Sequence, residues 1–143
     1  MALDDLRKEA YRLFLTSHAK VLKSIEADVT RARTLPPEVY DVLVTLEYAG
    51  GRMRLSDLAD QILLSRSGLT RRLDKLEKMG YIQREMCPND RRGAYAVLTD
   101  AGMKARARAW VSYSWAIEEH FASHLTEAEA RTMVRVFEKI AAD

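Results

Sequence analysis

Residues 65–98, SRSGLTRRLDKLEKMGYIQREMCPNDRRGAYAVL, constrain the fold more than any other stretch of this chain. The spacing of Leu69, Leu73 and Leu76 predicts an amphipathic helix over 66–79 with those leucines facing inward. Ser67, Thr70 and Arg71 lie at i, i+3 and i+4 and share another face, which Lys75 and Lys78 extend. Ser65 is the predicted N-cap and Gly80 the stop. Two strands follow, over 81–86 and 94–98, around the turn formers Pro88, Asn89, Asp90 and Gly93. A polar-faced helix followed at once by a basic hairpin has the dimensions of a recognition helix and a wing. The first fits the DNA major groove, and the second reaches the backbone or minor groove.

Charge is distributed to match. The chain carries a formal net charge of only +2, but Arg52 to Arg92 holds ten Lys/Arg against six Asp/Glu, a net of +4 that leaves −2 elsewhere. Positive charge is therefore concentrated on the groove-reading elements, the footprint expected where the partner is double-stranded DNA.

The rest of the chain reads as helices. Leu3, Leu6, Ala10, Leu13, Phe14, Val21 and Ile25 predict a long helix over 3–30. Pro36 and Pro37 open a second helix, where a missing N–H costs nothing. Val39, Leu43, Leu46 and Tyr48 carry it to Gly50-Gly51. Met53-Arg54-Leu55 is a short strand, and 56–62 a compact helix. Thr99 is the predicted cap of a helix over 100–122 with Trp110, Ile117 and Phe121 on its apolar face. Thr126-Glu127-Ala128-Glu129 is a capping box opening a last helix. The expected fold class is mainly α (α+β), a winged helix-turn-helix over 37–98 between flanking helices at 3–30 and 100–142, in one domain spanning 1–143.

Several classes of function are excluded or disfavoured. The N-terminus MALDDLRKEA has no apolar run, so neither a signal peptide nor a membrane span is expected, and the expected location is cytoplasmic. The single cysteine, Cys87, allows no intrachain disulfide and no multi-cysteine metal site. No nucleophile–base constellation or glycine-rich phosphate loop points to an enzyme, and no cofactor or resident metal is expected.

At the wing, Arg92 suits the narrow, electronegative minor groove. Asp90 repels phosphate, so its use there is to hold Arg92 by a charge-assisted hydrogen bond, with Arg91 on the phosphates. Arg54, Ser65 and Arg66 complete the predicted DNA-facing set with Ser67, Thr70, Arg71 and Lys75. A solvated helix face and an ordinary polar turn would use the same residue types.

LSDLADQILLSRSGLTRRLDKLEKMGYIQRE followed by PNDRRGAYAVLTDAG resembles the MarR family of bacterial winged-helix regulators, most specifically over 55–102. The resemblance implies a homodimeric transcriptional repressor in which the N-terminal helix and the last two helices of two chains interlock, reading a pseudo-palindromic operator. It also implies relief by a small phenolic or anionic aromatic ligand. Candidate lining residues are Tyr11, His18, Tyr40, Trp110 and Tyr113, all of which also suit core packing. Cys87 stands where many members carry an acidic residue, and an adjacent arginine would favour its thiolate, so redox sensing and an incidental small residue both remain open. His120 and His124, at i and i+4, suit either a metal or the end of a helix dipole. A winged-helix interaction module without DNA reading is the remaining alternative, and Arg71, Lys75, Arg91 and Arg92 argue against it.

Overall fold

The structure, a computed structural model, describes residues 2–63, 67–87 and 90–142, with the backbone alone described at 87 and 90–92. The chain divides into two compact units, residues 29–112 and the pair of segments 1–28 and 113–143.

The central unit contains α2 (Pro37–Tyr48), β1 (Arg52–Arg54), α3 (Leu55–Gln61), α4 (Leu69–Lys78), β2 (Ile82–Cys87) and β3 (Asp90–Leu98). It also holds the end of α1 (Asp5–Arg31) and the start of α5 (Asp100–His120). Val39, Val42, Leu43 and Leu46 line one face of α2 and are buried, as their i, i+3, i+4, i+7 spacing requires. Against them pack Leu58 of α3, Leu73 and Leu76 of α4, and Met53, Ile82 and Ala96 of the sheet. Tyr48, expected with them, is 90% exposed, because nine residues past Val39 it lies on the opposite face of the helix.

The sheet is antiparallel with order β1-β3-β2. Its hairpin departs from the expected one. β3 begins at Asp90, so Asp90, Arg91 and Arg92 are strand backbone and not part of the turn expected between 86 and 94. The register jumps from Met86↔Ala94 to Cys87↔Asp90, which leaves three residues, 91–93, without cross-strand partners. An irregularity of this kind bends the strand locally.

α4 also starts later than expected. Its N-cap is Gly68, in the left-handed region at φ 75°, and no side chain caps it. Helical backbone cannot pass through that conformation, so Ser67 lies in the preceding turn, and the predicted cap Ser65 falls with Arg66 outside the described residues. At the other end Gly80, at φ 78°, allows a Schellman closure: Gly80 N–H donates to Glu77 O (3.0 Å) and Tyr81 N–H to Leu76 O (2.9 Å).

Thr99 ties this end of α4 to α5. Its hydroxyl donates to Gly80 O (2.6 Å) and accepts from Gly102 N–H (3.1 Å), which is the predicted cap with an added bond. Gly102 is required by close approach, since a Cβ there would lie 2.2 Å from Tyr81 O.

The second unit comprises the remainder of α1 and α5, a 3-10 turn at Ala122–His124 and α6 (Glu127–Ala141). The Thr126 capping box forms as expected, with both reciprocal bonds present. The Phe14 and Phe137 rings meet at 5.9 Å. Leu6 and Trp115 are about three-quarters exposed, and α6 has no buried residue. Among the described residues no helix is long and apolar enough to cross a membrane.

Candidate functional site

α4 presents Thr70, Arg71, Lys75 and Lys78 to solvent while Leu73 and Leu76 hold the opposite face in the core. Thr70 and Arg71 fall in the first helical turn, the end that in recognition helices meets base edges. Ser67 is exposed but precedes the helix, so its expected shared face with Thr70 and Arg71 is not a helical one.

The helix is fixed to the wing by Arg84 of β2. Arg84 N–H donates to Glu77 Oε2 (2.9 Å) and its guanidinium donates to Glu77 Oε1 (3.0 Å). The same guanidinium reaches Asp74 Oδ1 at 2.6 Å. The Arg84 guanidinium, and then its backbone N–H, hold the Glu77 carboxyl below the usual carboxylate range. Glu77, then Asp74, raise the Arg84 guanidinium further above its own. Charge composition alone did not single out Arg84. The available signal was Asp74 and Glu77 at i, i+3 on the exposed side of a basic helix, facing the strand that follows.

α2 braces the other side. Arg72 donates to Glu38 O (3.2 Å), and Asp41 Oδ2 accepts from Leu63 N–H (2.9 Å) at the turn after α3. A carboxylate buried in this way fixes the backbone at Leu63, just after α3. On β1, Arg54 and its neighbour Arg52 both approach the Tyr95 ring, at 5.2 and 4.1 Å, placing two cations on the exposed surface of the sheet. Arg66 and the side chains of Asp90, Arg91, Arg92 and Cys87 lie outside the described residues.

A cavity of about 420 Å³ lies beside α2, lined by Tyr40, Val44, Glu47, Tyr48, Arg106 and Trp110. Two of the expected ligand residues, Tyr40 and Trp110, meet here. Tyr11, His18 and Tyr113 belong to the other unit and do not line it, and Tyr113 is buried. Sequence reasoning missed Arg106 and Glu47, although Arg106 and Trp110 at i, i+4, opposite Tyr40, Val44, Glu47 and Tyr48 at i, i+4, i+7, i+8, form two facing helical stripes. Arg106 Nη2 donates to Glu47 Oε1 (2.8 Å), while Nε sits 2.5 Å from Oε2 at an angle that makes no hydrogen bond. Burial works against the Arg106 charge, and its bonds to Glu47 and Tyr40 more than offset this. Burial raises the Tyr40 hydroxyl above its usual range, so it stays protonated.

His120 and His124 do not share a helical face. α5 ends at His120, Phe121 leaves helical geometry (φ −133°), and His124 sits in the 3-10 turn. His120 Nε2 instead lies 2.6 Å from Asp28 Oδ2 on α1, with Glu119 completing a cluster whose ligand-type atoms are within 4.8 Å of one another.

These features have counterparts in known proteins. The sequence profile of the MarR family matches residues 35–93. The HTH-type transcriptional regulator YkoM of Bacillus subtilis (strain 168) is 34% identical over 92 residues, 64% of this chain and 58% of YkoM, so the match spans under two thirds of that relative's length. The crystal structure of AbsC, a MarR family transcriptional regulator from Streptomyces coelicolor, superposes with a TM-score of 0.81 at 29% identity, over 99% of this chain and 96% of AbsC. Sco3205, another MarR family transcriptional regulator from Streptomyces coelicolor, crystallised in complex with DNA, gives 0.82 at 25% identity over 99% of this chain and 89% of its own. The winged-helix core is thus matched in sequence by the MarR family profile, and the whole chain is similar in fold to MarR family transcriptional regulators.

Proposed function

We propose that the chain is a homodimeric repressor that binds a pseudo-palindromic operator in double-stranded DNA and is released by a small phenolic or anionic aromatic ligand. One observation carries the DNA reading. α4 exposes Thr70, Arg71 and Lys75 on a helix held at both sides, by Arg84 on β2 and by the Arg72 contact to α2. A rigid cationic helix of this kind enters the major groove, with Arg71 placed to pair with a guanine edge. Ser65, Arg66, Ser67 and Arg54 then serve as flanking contacts. At the wing, Arg92, oriented by Asp90, takes the minor groove, and Arg91 takes the phosphates. Sco3205, crystallised with DNA, supports this docking.

Dimerisation is supported by the open apolar surfaces of α1 and α6. Leu3, Leu6, Leu13, Phe137 and Ile140 remain exposed in a single chain, and an apolar area of that extent calls for a partner. Two-fold symmetry then sets half-sites about 10 bp apart. The cavity at Tyr40 and Trp110 is the proposed effector site. α2 links it to the reading head, because the helix that carries Tyr40, Val44 and Glu47 also carries Glu38 and Asp41, which brace α4 and the backbone just after α3.

Selection of bound fragments from random duplex DNA at fixed, near-physiological salt tests the reading. An enriched palindrome with half-sites one helical turn apart is expected. Weak binding without sequence preference, from protein freed of small molecules, would remove it.

A further inference from the structure

The effector cavity carries its own counter-charge, and this decides which aromatic ligands it takes. Its walls are aromatic, from Tyr40, Tyr48 and Trp110, so a flat ring is favoured. Its one cation, Arg106, is already engaged by Glu47 through two close approaches and by the Tyr40 hydroxyl. Both charged side chains are withdrawn from solvent, at 23% and 34% exposure, where like charges repel more strongly than in water. A ligand carboxylate seeking Arg106 would have to displace Glu47 or lie against it. A phenol faces neither cost. Its hydroxyl is neutral at pH 7 and can donate to a Glu47 oxygen, which as a carboxylate has further lone pairs to offer.

We propose that Glu47 makes this cavity selective for neutral phenolic rings and excludes aromatic carboxylates. The inference rests on the reading of the cavity as an effector site and narrows its ligand class. Glu47 acts as the selectivity residue because it occupies the position on Arg106 that a ligand carboxylate would need. Arg106 in turn holds Glu47 in place, and Val44 lines the cavity beside them.

Isothermal titration of the full chain at pH 7 with phenol and with benzoate tests this on the wild type alone. Phenol is expected to bind at least about tenfold more tightly than benzoate. Glu47→Gln, which keeps the shape and removes the charge, is expected to improve benzoate by about tenfold or more, with an unchanged circular dichroism melt as the folding control. Equal binding of the two rings to the wild type, or a folded Glu47→Gln that gains nothing for benzoate, would overturn the selectivity while leaving the effector site in place. Failure of both rings to bind the wild type would overturn the effector site and the selectivity together.

Discussion

Arg84 on the wing strand grips Glu77 on the recognition helix with both its backbone N–H and its guanidinium, at 2.9 and 3.0 Å. The two elements that the proposed docking sends to different grooves are therefore joined at the surface by one residue. These groups are solvent-exposed, so the bonds add little to stability, and their consequence is geometric. Arg84→Ala is expected to weaken operator binding by about tenfold while moving the urea midpoint little. Fluorescence anisotropy on operator DNA beside an unfolding titration checks this. Arg84→Lys, which keeps the charge but loses the forked geometry, should recover only part of the loss. An affinity unchanged in Arg84→Ala would remove the clamp.

The same pair sets a pH dependence. The folded-state Glu77 carboxyl is held below its ordinary value of 4.5, first by the Arg84 guanidinium and then by its N–H. A carboxylate with a depressed pKa contributes stability that is fully present above the unfolded value and is lost as pH falls through the folded one. Wild type and Glu77→Gln should therefore differ by a constant amount above about pH 4.5 and converge as the pH drops further. Melting curves of both proteins across that window report it, and parallel curves throughout would contradict it.

Arg71 and Arg92 are predicted to fail in different ways. Arg71→Ala should cost about 1–3 kcal/mol on the best operator and relax preference at one position, because a bidentate contact to a base is lost. Arg92→Ala should weaken binding to every sequence and lower the salt slope by about one unit, because a cation is lost from the phosphate field. Anisotropy on matched and scrambled duplexes at several salt concentrations separates the two. Equal affinity in both variants would remove the docking scheme.

Much of this was legible from residue spacing. The stripe of Leu69, Leu73 and Leu76, the capping box at Thr126 and the cap at Thr99 are local patterns, and local patterns dictate local structure. What sequence spacing missed depended on backbone conformation or on long-range neighbours. Gly68 reads equally well inside a helix or before one until its left-handed φ is known. The Arg84–Glu77 and Arg106–Glu47 pairs span 7 and 59 residues, and only the packed fold brings them together. The cavity was half seen for the same reason, since helical periodicity cannot say which aromatic positions leave a gap and which, like Tyr113, fill one.

The exposed face of α1 should determine the assembly state. Leu6 is 74% exposed in one chain, so a charge placed there costs the isolated chain little. Buried between two copies, the same charge would lack a partner. Leu6→Glu is expected to shift the protein to monomers in sedimentation velocity and to abolish binding to the two-half-site operator. A dimer that persists in Leu6→Glu would place the interface elsewhere.

Thr99 offers the sharpest test of how the end of the recognition helix is anchored. Its hydroxyl is at once donor to Gly80 O and acceptor from Gly102 N–H, so one oxygen joins the Schellman closure of α4 to the first turn of α5. Thr99→Ala removes both bonds. Loss of an N-cap hydroxyl costs about 0.5–2 kcal/mol, and the exposed Gly80 carbonyl turns to water, so its lost bond adds little to that. Thr99→Ser keeps the oxygen and should retain most of the stability. Urea unfolding of the three proteins measures the series. If serine proved as damaging as alanine, packing of the Thr99 methyl, and not its hydroxyl, would be what holds the two helices together.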